Sequence, residues 1–81
     1  MKSYSILINI GDKEYKGTGE TMLEALTALP MPEKIMSKSI VTITKDKKTH
    51  EMPYAPVRLK RLFWKNALPI NAKHFNMILE Q

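Results

Sequence analysis

The sequence predicts a small α+β domain in which an antiparallel sheet of two hairpins packs its helices on one face. Apolar residues alternate over positions 4–10, β-branched residues dominate positions 39–45, and amphipathic helical patterns follow each of the two hairpins. Packing against one face of such a sheet buries the apolar stripes of these helices. The predicted order is therefore ββα-ββ-αα in a single domain spanning residues 1–81.

The first hairpin is predicted from alternation on both sides of a glycine-containing turn. Every second residue over positions 4–10 is a large apolar side chain, which is typical of a strand with one face in the core. Gly11 and Asp12 fit a two-residue turn in which the glycine has a positive φ. The return strand over residues 13–18 places Tyr15 on the core side.

A helix is predicted to begin after a capping box formed by Thr21 and Glu24. In this motif the threonine hydroxyl accepts from the amide three residues later, and the glutamate side chain accepts from the amide of the cap. Gly17 and Gly19 are expected to let the backbone turn sharply just before the cap. The helix is expected to end at Leu29, because the following proline disfavours a helical conformation there.

The second hairpin is expected after a short connection. Pro32 fits the first position of a short helical turn that would run through Met36. The β-branched strand over residues 39–45 is followed by a polar turn at 45–48 and a short return strand at 49–53.

The segment 56–66 fits either a strand or a helix. As a strand it would place Arg61 among apolar side chains, whereas a helix beginning at Pro56 separates the apolar face from the basic residues. This separation favours the helix. The sequence at 68–70 is expected to end it, and Asn71 is expected to cap a last helix.

The positive charge of the chain is concentrated in its second half. The net charge is +5; residues 1–44 carry five lysines against five acids, whereas residues 45–73 carry eight basic residues against two acids. There is no cysteine, so a hydrophobic core must stabilise the fold without disulfides. With no apolar run of bilayer length and no signal-peptide pattern, we expect a cytoplasmic protein or one built into an assembly made there.

No residue set indicates a catalytic, cofactor or metal site. The Gly-Thr-Gly sequence at 17–19 lacks the third glycine of a dinucleotide fingerprint and the Gly-Lys-Ser/Thr of a P-loop, so it is interpreted as capping geometry. His50 and His74 each lack a second ligand three or four residues away. There is no nucleophile motif. We therefore expect a non-enzymatic protein without a cofactor or a small-molecule substrate.

The segment 56–66 carries the candidate binding surface. In the helical interpretation a basic stripe lies beside an apolar face, with an aromatic residue between them. Trp and Arg are the residue types most enriched among interface hot spots. The predicted partner-binding residues are Arg58, Lys60, Arg61, Trp64 and Lys65. A further basic patch is expected at the second hairpin turn, from Lys45, Lys47 and Lys48; lysines there also guard a strand edge against pairing.

The main functional hypothesis is a small protein-interaction module, an accessory or assembly protein that docks on another protein or on itself through residues 56–66. The alternative is a nucleic-acid-binding domain that uses the basic residues over 45–73, with Trp64 stacking on a base. A membrane-surface helix and a solvated face without a partner are the remaining interpretations. In composition, with eleven Lys against two Arg, many Ile and no Cys, the chain resembles small accessory or virion proteins from AT-rich bacteria and their phages.

Overall fold

Four strands and three α-helices make up the part of the chain that the computed structural model describes, residues 3–35 and 37–81. The strands are β1 (Tyr4–Ile10), β2 (Lys13–Gly19), β3 (Ser39–Lys45) and β4 (Lys48–Tyr54). The helices are α1 (Met22–Ala28), α2 (Pro56–Leu62) and α3 (Leu68–Leu79), with a 3-10 turn at Lys65–Ala67. This order confirms the predicted ββα-ββ-αα arrangement.

All four strands form one antiparallel sheet in the order β2-β1-β3-β4. Ile6 on β1 lies opposite Gly17 on β2 and Ile43 on β3, and the β3–β4 ladder closes with Lys45 opposite Lys48. The first strand of each hairpin is therefore central, and the second strand of each hairpin forms an edge.

The core lies between one face of the sheet and the helices. Side chains of a strand alternate between its two faces, and one set from the two central strands is fully buried, namely Ile6, Ile8, Val41 and Ile43. The buried helical residues are Met22, Ala25 and Leu26 on α1, Leu59 and Leu62 on α2, and Ala72, Phe75 and Leu79 on α3. The predicted apolar stripes thus meet on one face of the sheet.

The first turn and the start of α1 have the geometry that the sequence predicts. Gly11 has a φ of 62° in the two-residue turn. Thr21 Oγ1 accepts from the amide of Glu24 at 3.1 Å, and Glu24 Oε2 accepts from the amides of Thr21 at 3.1 Å and Glu20 at 2.9 Å. Leu29 is the C-cap residue and has an extended ψ of 124°. Both the capping box and the end of the helix are confirmed.

The two glycines before α1 have a different role from the expected one. Gly17 and Gly19 are buried strand residues, and neither has a positive φ. A Cβ on Gly17 would collide with the carbonyl oxygen of Ala25, and one on Gly19 would lie 2.5 Å from Glu24 Cβ. Both glycines therefore let α1 pack directly on the β2 backbone, and the prediction of a sharp turn at these positions is wrong.

The helical turn expected from Pro32 to Met36 is wrong over the residues described. Residues 31–35 are irregular with one bend, and Met36 lies outside the described residues. Pro32 is buried, as are Leu29 and Ile35 on either side of it. Burial of all three holds this connection against the core as an irregular segment.

α2 begins where the sequence predicts but is shorter than expected. Pro56 occupies its first turn, which confirms the helical interpretation of this segment. The amides of Phe63 and Trp64 donate to carbonyls three residues earlier, at 3.3 Å and 3.2 Å, which tightens and ends the last turn. Trp64 has an extended backbone (φ −67°, ψ 128°), so the prediction of a helix through residue 66 is wrong beyond Leu62.

α3 begins earlier than the sequence predicts. Leu68 is its first residue and Pro69 lies in the first turn, where the missing amide would have had no intrahelical acceptor. The expected break at 68–70 and the expected cap at Asn71 are therefore wrong. No helix within the described residues has the length and hydropathy required to cross a bilayer.

Candidate functional site

Arg58 contacts the sheet through the ring of Tyr54. Its guanidinium carbon lies 4.2 Å from the centroid of that ring, within cation–π distance, and Tyr54 is itself buried. Burial raises the pKa of the Tyr54 hydroxyl, and the charge and hydrogen bonding of Arg58 act in the opposite direction. Arg58 therefore attaches the first turn of α2 to the end of β4.

Trp64 is exposed on a backbone that is held in place. Its side chain is 61% exposed. Its amide donates to the Arg61 carbonyl at 3.2 Å, and its own carbonyl accepts from the amide of Ala67 at 2.9 Å. The preceding residue, Phe63, is half-buried and packs against the core. Trp64 is thus presented to solvent between two anchored turns.

Basic residues flank Trp64 along the chain. Lys60 and Arg61 are exposed in the last turn of α2, and Lys65 is exposed at the start of the 3-10 turn. Leu59 and Leu62 point into the core, which leaves Lys60 and Arg61 on the solvent side. We refer to Lys60, Arg61, Trp64 and Lys65 as the Trp64 surface. Another apolar side chain on the same helix, Val57, is 63% exposed.

The lysines of the second hairpin turn lie at the other end of β4. Lys48 begins this strand and Tyr54, which Arg58 contacts, ends it. At about 3.3 Å per residue the two ends are roughly 20 Å apart. Although the eight basic residues all fall within positions 45–73, the fold separates Lys45, Lys47 and Lys48 from the start of α2.

The hairpin-turn lysines lie beside negative groups of the same chain. Lys45, Lys47 and Lys48 line a shallow depression together with Leu79 and Glu80 at the C-terminal end of α3. The Lys45 Nζ atom lies 5.3 Å from the centroid of the Tyr4 ring. Tyr4, followed by the nearby carboxylates of Asp46 and Glu80, raises the pKa of the Lys45 ammonium group. The carboxylates and the negative end of the helix dipole partly offset the lysine charges.

The remaining candidates from the sequence do not converge on a site. His50 is half-buried on β4, and His74 is exposed on α3 with its ring centroid 6.0 Å from that of Phe75. Over residues 3–35 and 37–81, no group of three or more His, Cys, Asp or Glu residues is placed to hold a metal ion. The Gly-Thr-Gly sequence precedes amides that already donate to Glu24.

Comparison with known proteins gives no relative from which function can be transferred. No family model, curated protein or solved structure matches the chain. Function is therefore inferred from the geometry of this chain alone.

Proposed function

We propose that this protein is a small interaction module that binds an acidic protein surface through the Trp64 surface. The observation that carries this proposal is the 61% exposure of a tryptophan whose backbone is fixed on both sides. Trp is the residue type most typical of interface hot spots, and a rigid backbone lowers the entropy lost on binding.

The surrounding charges suit a protein interface with a polar rim. Lys60, Arg61 and Lys65 are exposed next to Trp64, so a partner with acidic residues around an apolar cleft would complement this surface. The rim charges would steer association, and burial of the indole would supply most of the affinity. Binding through Trp64 should therefore persist when salt screens the lysines.

Binding of single-stranded nucleic acid is the alternative, because an exposed tryptophan among basic residues also suits base stacking. Two observations favour the protein partner. Arg58, one of two arginines, is engaged with Tyr54, and the hairpin-turn lysines lie at the opposite end of β4. A groove that tracks a phosphate backbone needs a continuous basic path, which these positions do not supply.

The single tryptophan makes the test site-specific, because all tryptophan fluorescence comes from Trp64. Affinity capture from extract of the native host, with and without nuclease, is repeated at about 0.1 M and about 0.5 M salt. We expect the capture of a partner protein to persist after nuclease treatment and at high salt. The purified partner, when added back, should shift the Trp64 emission to shorter wavelength.

Matched variants distinguish binding through the Trp64 surface from nonspecific binding. Trp64→Ala should abolish capture, whereas Met31→Ala, which removes a side chain that is 69% exposed elsewhere, should leave it unchanged. Arg61→Glu should slow association. Capture that is equal for the Trp64 and Met31 variants would refute the proposal. Quenching of Trp64 by a single-stranded oligonucleotide that disappears at high salt would favour the nucleic-acid alternative.

A further inference from the structure

The two edge strands of the sheet differ in the backbone groups that they offer to another chain. One bond shows which residue pairs of the β1–β3 ladder are hydrogen-bonded: the amide of Asp46 donates to the carbonyl of Ser3 at 3.0 Å. In an antiparallel ladder, hydrogen-bonded and non-hydrogen-bonded pairs alternate. The odd-numbered residues of β1 therefore bond to β3, and its even-numbered residues bond to β2.

The same alternation, continued from β1 to β2 and from β3 to β4, shows which backbone groups of the two edge strands point away from the sheet. Ile6 lies opposite Gly17, so odd-numbered residues of β2 bond inward and its even-numbered residues point away from the sheet. On β4 the outward positions are the odd ones, which include Pro53. Proline has no amide hydrogen, so it interrupts the β4 edge. The outward positions of β2, which are Glu14, Lys16 and Thr18, all retain their amides.

The accessible half of this edge begins beyond α1. The helix packs against Gly17 and Gly19, near the end of β2. Lys13, Glu14 and Lys16 are exposed, and Tyr15 is half-buried. Residues 14 and 16 are therefore exposed at this edge, and Lys13 and Tyr15 beside them line a shallow depression with Glu33 and Lys34 of the connection after α1.

We propose that β2 pairs antiparallel with β2 of a second copy of this chain, about a two-fold axis at Tyr15. This register places Glu14 opposite Lys16 of the second copy and, by symmetry, Lys16 opposite its Glu14. Both are outward positions, so each pair exchanges two backbone hydrogen bonds. The two sheets become one continuous sheet of eight strands.

The charge pattern selects this register over its neighbours. An axis at Glu14 would place two Glu14 side chains opposite each other, and an axis at Lys16 would do the same for two lysines. Like charges directly opposite each other are destabilising, whereas opposite charges are stabilising. The Tyr15 register alone joins Glu14 to Lys16, and it also sets the two tyrosine rings opposite each other in a non-hydrogen-bonded pair, where side chains approach most closely.

This inference does not depend on the proposed function, because the β2 edge lies outside the Trp64 surface. Sedimentation velocity of the wild-type chain over a wide concentration range should show a reversible dimer. Glu14→Lys or Lys16→Glu alone should weaken the dimerisation constant by about tenfold or more, since each change makes two like-charge pairs. The double variant Glu14→Lys with Lys16→Glu should restore wild-type dimerisation.

Two controls address the edge and the backbone. Glu51→Lys changes an exposed charge on the β4 edge and should leave dimerisation unchanged. Lys16→Pro removes one outward amide without removing a bond to β1, so it should give a folded monomer. A wild-type chain that stays monomeric, a double variant that is not restored, or a Lys16→Pro variant that still dimerises would each overturn the proposal.

The register is tested by cross-linking, because the chain has no cysteine of its own. Two copies of Tyr15→Cys would have Cα atoms about 4.5 Å apart, within the range for a disulfide. Two copies of Lys13→Cys would be offset along the strands by four residues, or roughly 13 Å. Oxidation should therefore give a covalent dimer of the first variant and not of the second. The reverse result would refute the register.

Discussion

The N-terminal region, which consists of the first hairpin and α1, differs from the C-terminal region of α2 and α3 in how its helix begins. α1 starts with a reciprocal capping box, in which Thr21 and Glu24 satisfy backbone amides with their side chains. α2 and α3 have no side-chain cap, and each begins with a proline in its first turn. α1 therefore has both a side-chain cap and buried apolar residues, whereas α2 and α3 depend on the burial of their apolar sides without a side-chain cap.

This difference bears on which helix offers its side chains for binding. In the first region the side-chain hydrogen bonds of α1 are directed at its own backbone, and its helix contacts the sheet without intervening side chains at Gly17. In the second region Leu59 and Leu62 hold α2 in place while Lys60, Arg61 and Trp64 stay in solvent. Anchoring by a few buried residues leaves the rest of such a helix available to a partner.

The largest expected effect tests the close contact in the first region. Gly17→Ala should lower the free energy of unfolding by about 3 kcal/mol, because its Cβ would meet backbone atoms of α1 that cannot move without shifting the helix. Chemical denaturation measures the loss, and Thr27→Ala on the exposed side of α1 serves as the control. A Gly17→Ala variant as stable as this control would contradict direct packing of α1 on β2.

Substitutions at the N-caps of α1 and α2 should change the free energy of unfolding in opposite directions. Thr21→Ala should lower the free energy of unfolding by about 1 kcal/mol through loss of the capping box. Ala55→Ser should raise it by about 0.5–1 kcal/mol, because Ala55 has the extended backbone of an N-cap but no side-chain acceptor. The thermal midpoints of both variants are compared with that of the wild type. Midpoints equal to the wild-type value would mean that neither helix depends on its cap.

The second hairpin turn provides a smaller effect. Asp46 has a φ of 54°, a conformation that glycine adopts without steric cost. Asp46→Gly should therefore stabilise the protein by about 0.5 kcal/mol, whereas Asp46→Ala should not. Gly11 already occupies the corresponding position in the first turn. Denaturant midpoints for the two variants provide the measurement, and a destabilised glycine variant would run against this explanation.

The smallest expected effect is a pH dependence at the junction of β4 and α2. Burial raises the pKa of Tyr54 above its ordinary value of 10.0 in the folded state. The folded protein therefore holds this proton more tightly than the unfolded chain, so stability is full below pH 10 and falls as the pH rises through the folded pKa. Thermal midpoints of the wild type above pH 10 should fall more than those of Tyr54→Phe. Parallel curves would contradict the assignment.

The strands and the start of α1 were predictable because their signals are local. Period-two alternation defines a strand directly, and the capping box joins residues only three apart. The α2–α3 boundary was not predictable in the same way, because a proline can end one helix or begin the next. At Pro69 the burial of Ala72 and Phe75 selects the second outcome, and that burial depends on distant residues.

The sequence named the residues of the candidate site but not their surroundings. The same amphipathic pattern fits a half-buried and an exposed Trp64, so its exposure depends on where α2 ends. The contact between Arg58 and Tyr54 requires β4 to finish immediately before α2. The separation of the two groups of basic residues follows from the strand order, which charge counting along the chain does not contain.

The central β1–β3 ladder has a consequence for folding kinetics. Each hairpin pairs residues that are close in sequence, but the β1–β3 ladder must close a loop over residues 11–38 even at its nearest pair, Ile10 and Ser39. The chain entropy of that closure is lost before the shared core forms. We therefore expect the rate-limiting step of folding to be the pairing of β1 with β3. Ile43→Val should then slow folding more than it speeds unfolding.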